Sequence, residues 1–102
     1  MHRYVKISEL IAQMPVDDAF LHLLEAEDLI HPKRTSEGDL VISADEAERV
    51  RVVLLLTSEL DVNLAGVEVI IHMRDTMRAM QRQFCEILDA LVEELRRRSA
   101  PR

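Results

Sequence analysis

Between Val67 and Ala100 the chain contains neither glycine nor proline. A stretch like this can run as one helix of about 30 residues, on the order of 45 Å long at the helical rise per residue. Its apolar residues fall at Ile70, Met73, Met77, Met80, Phe84, Ile87 and Leu91, with alternating spacings of three and four. That alternation is a heptad seam. Near the end the register shifts, and Leu88 and Leu95 take over where Glu94 would have been a seam position. A seam of this length can fold back on its own domain or pair with a second chain. In a protein of 102 residues so long a helix outruns the domain that precedes it, so a homodimer joined through these seven residues is expected.

The preceding residues read as a separate small module, with residues 1–62 set against a helix over 63–102. Tyr4 to Ile7 alternate as a short strand does and lead into a first helix ending near Gln13, before Pro15. Asp17 or Asp18 can cap a second helix over roughly 18–28, whose buried stripe is predicted to be Ala19, Phe20, Leu23 and Leu24. Lys33 to Ile42 read as two strands around a turn at Gly38. Ser43 and Glu46 have capping-box spacing and open a helix to about Glu59. Its apolar run from Val52 to Leu56 marks it as the central helix of the core. Asn63 suits the cap of the long helix. With Tyr4, Phe20 and Phe84 the only aromatics, the core must be aliphatic.

Charge narrows the possible functions. Residues 1–60 carry twelve acids and six bases, whereas residues 61–102 carry seven of each. The whole excess of six negative charges therefore lies in the N-terminal module. Affinity for duplex DNA rests on clustered Lys and Arg that displace counterions from phosphate, and an acidic module favours a basic protein partner instead. From Asp17 to Asp28 there are five carboxylates (Asp17, Asp18, Glu25, Glu27 and Asp28) and no Lys or Arg. These five are the expected partner-binding residues.

Nothing points to catalysis. His2, His22, His31 and His72 are not spaced with Cys85 as zinc ligands are, and Gly38 and Gly66 are too few to build a phosphate loop. Cys85 has no activating neighbour in sequence. No metal, cofactor or catalytic residue is expected. The N-terminal apolar residues are interrupted by Lys6, Glu9 and Gln13, unlike a signal peptide, and no apolar run is long enough to span a bilayer. A cytoplasmic location without membrane contact is the expectation.

From the second helix onward the sequence resembles MerR-type regulators. Their pattern, in one-letter code, is approximately G-V-S-x-x-T-L-R-Y-Y-E-x-x-G-L-L-x-P, followed by a wing R-x-x-x-G-Y-R-x-Y-S. The stretch from Pro15 to Pro32 and the wing from Arg34 to Ser43 align with it without a gap, keeping Glu25, Leu29, Pro32, Arg34, Gly38 and Ser43. Asp61 to Ile70, reading DVNLAGVEVI, is similar to a segment shared by HspR-type heat-shock repressors and the chaperone modulator CbpM family. The resemblance implies a mostly α fold: a MerR-like winged helix-turn-helix with a small β wing and a long C-terminal coiled-coil helix. His22 stands where the regulators place an arginine, Leu23 and Leu24 where they place tyrosines, and Leu40 where they place the second wing arginine. With these changes the sequence is more similar to the CbpM family. That likeness implies binding to the J-domain of a DnaJ-like, CbpA-type co-chaperone, and inhibition of its work with the heat-shock chaperone it serves. The alternative is a MerR/HspR-type transcriptional regulator contacting DNA through Lys6, Lys33, Arg34 and Arg49.

Overall fold

The computed structural model describes residues 3–99, so His2 and Ala100 lie outside the described residues. β1 (Tyr4–Lys6) leads directly into α1 (Ile7–Gln13), which ends at Met14 just before Pro15. α2 (Asp18–Ala26) is capped by Asp17, whose carboxylate accepts the Phe20 N–H at 2.8 Å. This satisfies one of the first-turn donors that have no partner within the helix.

α2 ends by a Schellman arrangement. The Leu29 N–H donates to the Leu24 carbonyl at 2.8 Å, the Asp28 N–H donates to the Glu25 carbonyl at 3.0 Å, and Asp28 has φ 64°. Leu29 follows as the buried apolar residue that commonly accompanies this cap. The MerR-type pattern has glycine at this position, and the left-handed backbone is the physical reason.

β2 (Lys33–Arg34) and β3 (Leu40–Ser43) are antiparallel, with Lys33 opposite Val41 and Arg34 opposite Leu40. The turn between them places Gly38 at φ 89° and is closed by the Gly38 N–H on the Thr35 carbonyl at 2.9 Å. β1 pairs with the other edge of β3, Val5 opposite Ile42, so the sheet order is β1-β3-β2. α3 (Ala44–Ser58) opens with the expected capping box: Ser43 Oγ accepts the Glu46 N–H and Glu46 Oε1 accepts the Ser43 N–H, both at 3.0 Å. Val50, Val53 and Leu56 of α3 are buried, Val52 and Leu54 half-buried, and Leu55 faces out. A helix covered over most of its girth suits a central position in the core.

The buried stripe of α2 differs from the sequence expectation. Leu21 and Leu24 are buried and Phe20 is half-buried, while Ala19 and Leu23 are exposed. Six of the nine helical residues are Ala, Phe or Leu, so more than one 3.6-residue stripe fits the sequence, and packing selects between them. Leu10, Leu24, Ile30, Ile42, Val50, Val53 and Val67 are the large side chains most completely buried. The core is aliphatic, as the composition required.

α4 (Leu64–Ser99) is 36 residues long. Asn63 caps it, its Oδ1 accepting the Gly66 N–H at 2.9 Å. The chain divides into two compact units, one ending at Glu68 and the other beginning at Val69. α4 therefore contributes its first turn to the N-terminal unit. Among the described residues no helix is long and apolar enough to cross a membrane.

Candidate partner-binding surfaces

All five acids singled out along α2 and its C-terminal turn are exposed, in different circumstances. Asp17 is the helix cap. Asp18 and Glu25, seven residues apart and so on one face, make no hydrogen bond or ion pair with a side chain among the described residues. Glu27 meets Glu68 in the first turn of α4, and the hydrogen bond between the two carboxyls raises Glu68 above its ordinary value. Desolvation and the like charge of Glu27 add to that rise. Asp28 accepts His31 Nε2 at 2.7 Å.

His31 is held from a second side. Its backbone N–H donates to Glu46 Oε2 at 2.5 Å, and its Nδ1 lies 3.4 Å from the same oxygen. Glu46 thus joins the loop after α2 to the start of α3. Burial pushes its carboxyl up, but the Ser43 and His31 N–H groups, the Ser43 hydroxyl and the His31 charge together hold it below its ordinary value. The capping-box spacing identified the Ser43 partner. His31 carries no sequence signal for this role, because fifteen residues separate it from Glu46.

The bases on which a DNA-contacting reading depends are largely engaged within the fold. Lys6 Nζ pairs with Asp39 Oδ2 at 3.5 Å. Arg34 Nη1 donates to the Gly38 carbonyl at 2.7 Å, bracing the wing turn. Half-buried Arg49 donates from Nη1 to the Leu29 carbonyl at 2.7 Å. Among the described residues, Lys33 alone of the four is exposed without such a contact. Leu40, at the second wing-arginine position, is 41% exposed.

In α4 Ile70 is half-buried, and the other six seam residues, Met73, Met77, Met80, Phe84, Ile87 and Leu91, are between 54% and 67% exposed. Leu88, Val92 and Leu95 are exposed as well. From Phe84 onward the apolar face is therefore broader than a two-position seam, and Val92 was not signalled by the heptad spacing. The helix ends in the ion pairs Arg96–Glu93 at 3.8 Å, Arg98–Glu94 at 3.3 Å and Arg97–Glu94. Cations in the last turn also suit the helix dipole. His22, His72 and Cys85 are exposed. Among the described residues no group of three or more His, Cys, Asp or Glu is arranged to hold a metal ion.

Among the described residues a winged helix-turn-helix unit continues into one long helix, α4. Residues 5–96 match the family described as MerR HTH family regulatory protein, and the chain belongs to that family. No curated protein and no solved structure matches the chain.

Proposed function

We propose that this protein is a protein-binding member of its family, a modulator that covers the J-domain of a DnaJ-like co-chaperone and thereby lowers that co-chaperone's activity. The observation that carries this reading is the exposed surface of α2, the helix that would enter a DNA groove. It presents Asp18 and Glu25, without side-chain partners among the described residues, and no Lys or Arg at all. Such a face repels phosphate and attracts a basic helix, which J-domains of this co-chaperone class are expected to offer. Occlusion requires no chemistry: a covered J-domain surface cannot engage the chaperone.

The protein acts as a homodimer joined through α4 in this proposal. Six large side chains per chain leave more than half their surface in water. Burying the exposed part of each contributes roughly 1 kcal/mol at about 25 cal/mol per Å². The pair gains on the order of 10 kcal/mol, comparable with the ~4–15 kcal/mol that association costs. An isolated apolar face of this length also exceeds what monomers ordinarily expose.

The test is binding of a purified J-domain to the full chain, compared with Asp18→Lys/Glu25→Lys. This double variant reverses four units of charge and leaves the buried Leu21 and Leu24 alone. Affinity should fall at least tenfold at low salt, and the difference should shrink at high salt. Equal binding by both proteins would move the contact away from α2. A second reading, a DNA-binding regulator, draws on the family description and on the exposed Lys33 of the wing. Tight, sequence-dependent binding to duplex DNA would establish it.

A further inference from the structure

The exposed apolar residues of α4 have an order that a single heptad frame does not describe. Met73, Met77, Met80 and Phe84 are spaced by four, three and four, and Phe84, Leu88, Leu91 and Leu95 by four, three and four again. Two successive fours at Phe84 are a stutter, which relaxes the supercoil locally. At 100° per residue all seven fall within a sector of about 80° on a straight helix. The uninterrupted heptad would instead run from Phe84 through Ile87 and Leu91 to Glu94 and Arg98, bringing charges into the seam. The apolar spacing therefore reads the same in both chain directions, with Phe84 at its centre.

We infer that α4 takes the α4 of a second copy in one antiparallel register, with Phe84 of each chain at the two-fold axis. Met80 of one chain then meets Leu88 of the other, Met77 meets Leu91, and Met73 meets Leu95. The inference rests on the homodimer reading above and deepens it by fixing direction and register. Symmetry carries the first part. In a two-fold interface residue i contacts j and j contacts i, so an antiparallel pair matches each interval of one chain with the same interval read backwards in the other. Only a palindromic seam then sets every apolar residue against another, whereas parallel pairing requires no palindrome. Charge carries the second part. From Met73 to Arg82 α4 holds Arg74, Arg78 and Arg82 with Asp75 as the one acid, and from Gln83 to Leu95 it holds Glu86, Asp89, Glu93 and Glu94 with no base. Parallel pairing would set each of these acids level with its own copy. The register on Phe84 sets Glu86 level with Arg82 of the other chain, and Asp89 within one residue of level with Arg78. These charges lie outside the seam, so they select direction through a field that salt screens, while the apolar contacts hold the pair.

Cysteine cross-linking tests direction and register together, because a disulfide forms only where two Cβ atoms approach to about 3.5–4.5 Å. In a full-length Cys85→Ser background, Phe84→Cys, Met77→Cys and Leu91→Cys are oxidised mildly, each alone, and the last two also after refolding as a mixture. Phe84→Cys should link to itself. Met77→Cys and Leu91→Cys should stay unlinked alone, and their mixture should give the mixed dimer in roughly tenfold excess over either self-linked product. Met80→Cys mixed with Leu88→Cys is a second pair with the same expectation, so the outcome does not hang on one substitution. Circular dichroism and light scattering establish that each variant is folded and dimeric before oxidation. Self-linking of Met77→Cys as efficient as that of Phe84→Cys means parallel pairing and overturns the inference. A dimer in which neither mixture cross-links overturns it too, by excluding the register on Phe84. The homodimer reading survives both of those results. Wild type that is monomeric at high micromolar concentration overturns the homodimer reading and this inference together.

Discussion

Arg49 of α3 donates from Nη1 to the carbonyl oxygen of Leu29 at 2.7 Å, across twenty residues of sequence. A carbonyl in the loop after a helix has no helical donor, and a half-buried guanidinium supplies a charge-assisted one. A base that composition offers to nucleic acid is thereby part of the scaffold. Arg49→Ala should lower stability by about 1.5–3 kcal/mol, the range for hydrogen bonds to charged groups. Denaturant unfolding measures this. A variant as stable as wild type would leave the contact without structural weight.

Glu46 makes the same junction pH-sensitive. Its carboxyl lies below its ordinary value in the folded state, and an unfolded glutamate titrates near about 4.3. Its contribution is therefore complete above that pH and is lost as pH falls through the lower folded value. Glu46→Gln should cost about 1–2 kcal/mol at neutral pH, with the gap to wild type closing as pH falls below the ordinary glutamate range. Thermal unfolding followed at several pH values reads this directly. A gap constant across that range would contradict it.

Gly66 sits inside the cap of α4. A Cβ there would lie 2.8 Å from Val62 Cγ1 and 3.3 Å from Asn63 Oδ1. In an open helix Gly→Ala gains about 0.5–1 kcal/mol. Here the methyl would force the β-branched Val62 to move and crowd the capping oxygen, whose loss costs about 1 kcal/mol by itself. Gly66→Ala should therefore destabilise the protein rather than stabilise it. A raised melting temperature would refute this.

Asp28 occupies a left-handed position, φ 64°, at which an L side chain costs roughly 1 kcal/mol or more. Asp28→Gly should gain up to about 1 kcal/mol, reduced by loss of its contact with His31. Equilibrium unfolding decides the sign, and net destabilisation would mean that the His31 contact outweighs the backbone term.

For assembly, Met77→Glu with Phe84→Glu should give a monomer in light scattering, because burying unpaired carboxylates in the seam is strongly unfavourable. Wild type that is already monomeric at high micromolar concentration would remove the dimer from the proposal.

Local chemistry was legible where few residues carry it and no distant partner is needed. Ser43 and Glu46 lie three apart and satisfy each other, Asn63 precedes an uninterrupted helix, and Gly38 supplies the turn that antiparallel pairing of β2 and β3 needs. The apolar spacing from Ile70 to Leu91 placed one face on α4 because a straight helix converts sequence interval directly into angle. The tertiary structure decided what depends on residues far apart in the chain. Packing chose Leu21 and Leu24 over Ala19 and Leu23, and pairing placed β1 beside β3. It also joined Glu27 to Glu68, Glu46 to His31 and Arg49 to Leu29. Periodicity ranks the faces of a helix by composition alone, and in a short helix rich in Ala, Phe and Leu those ranks are nearly equal. Which face meets the core is settled by the shape of what it packs against, and that shape is absent from any local window of sequence.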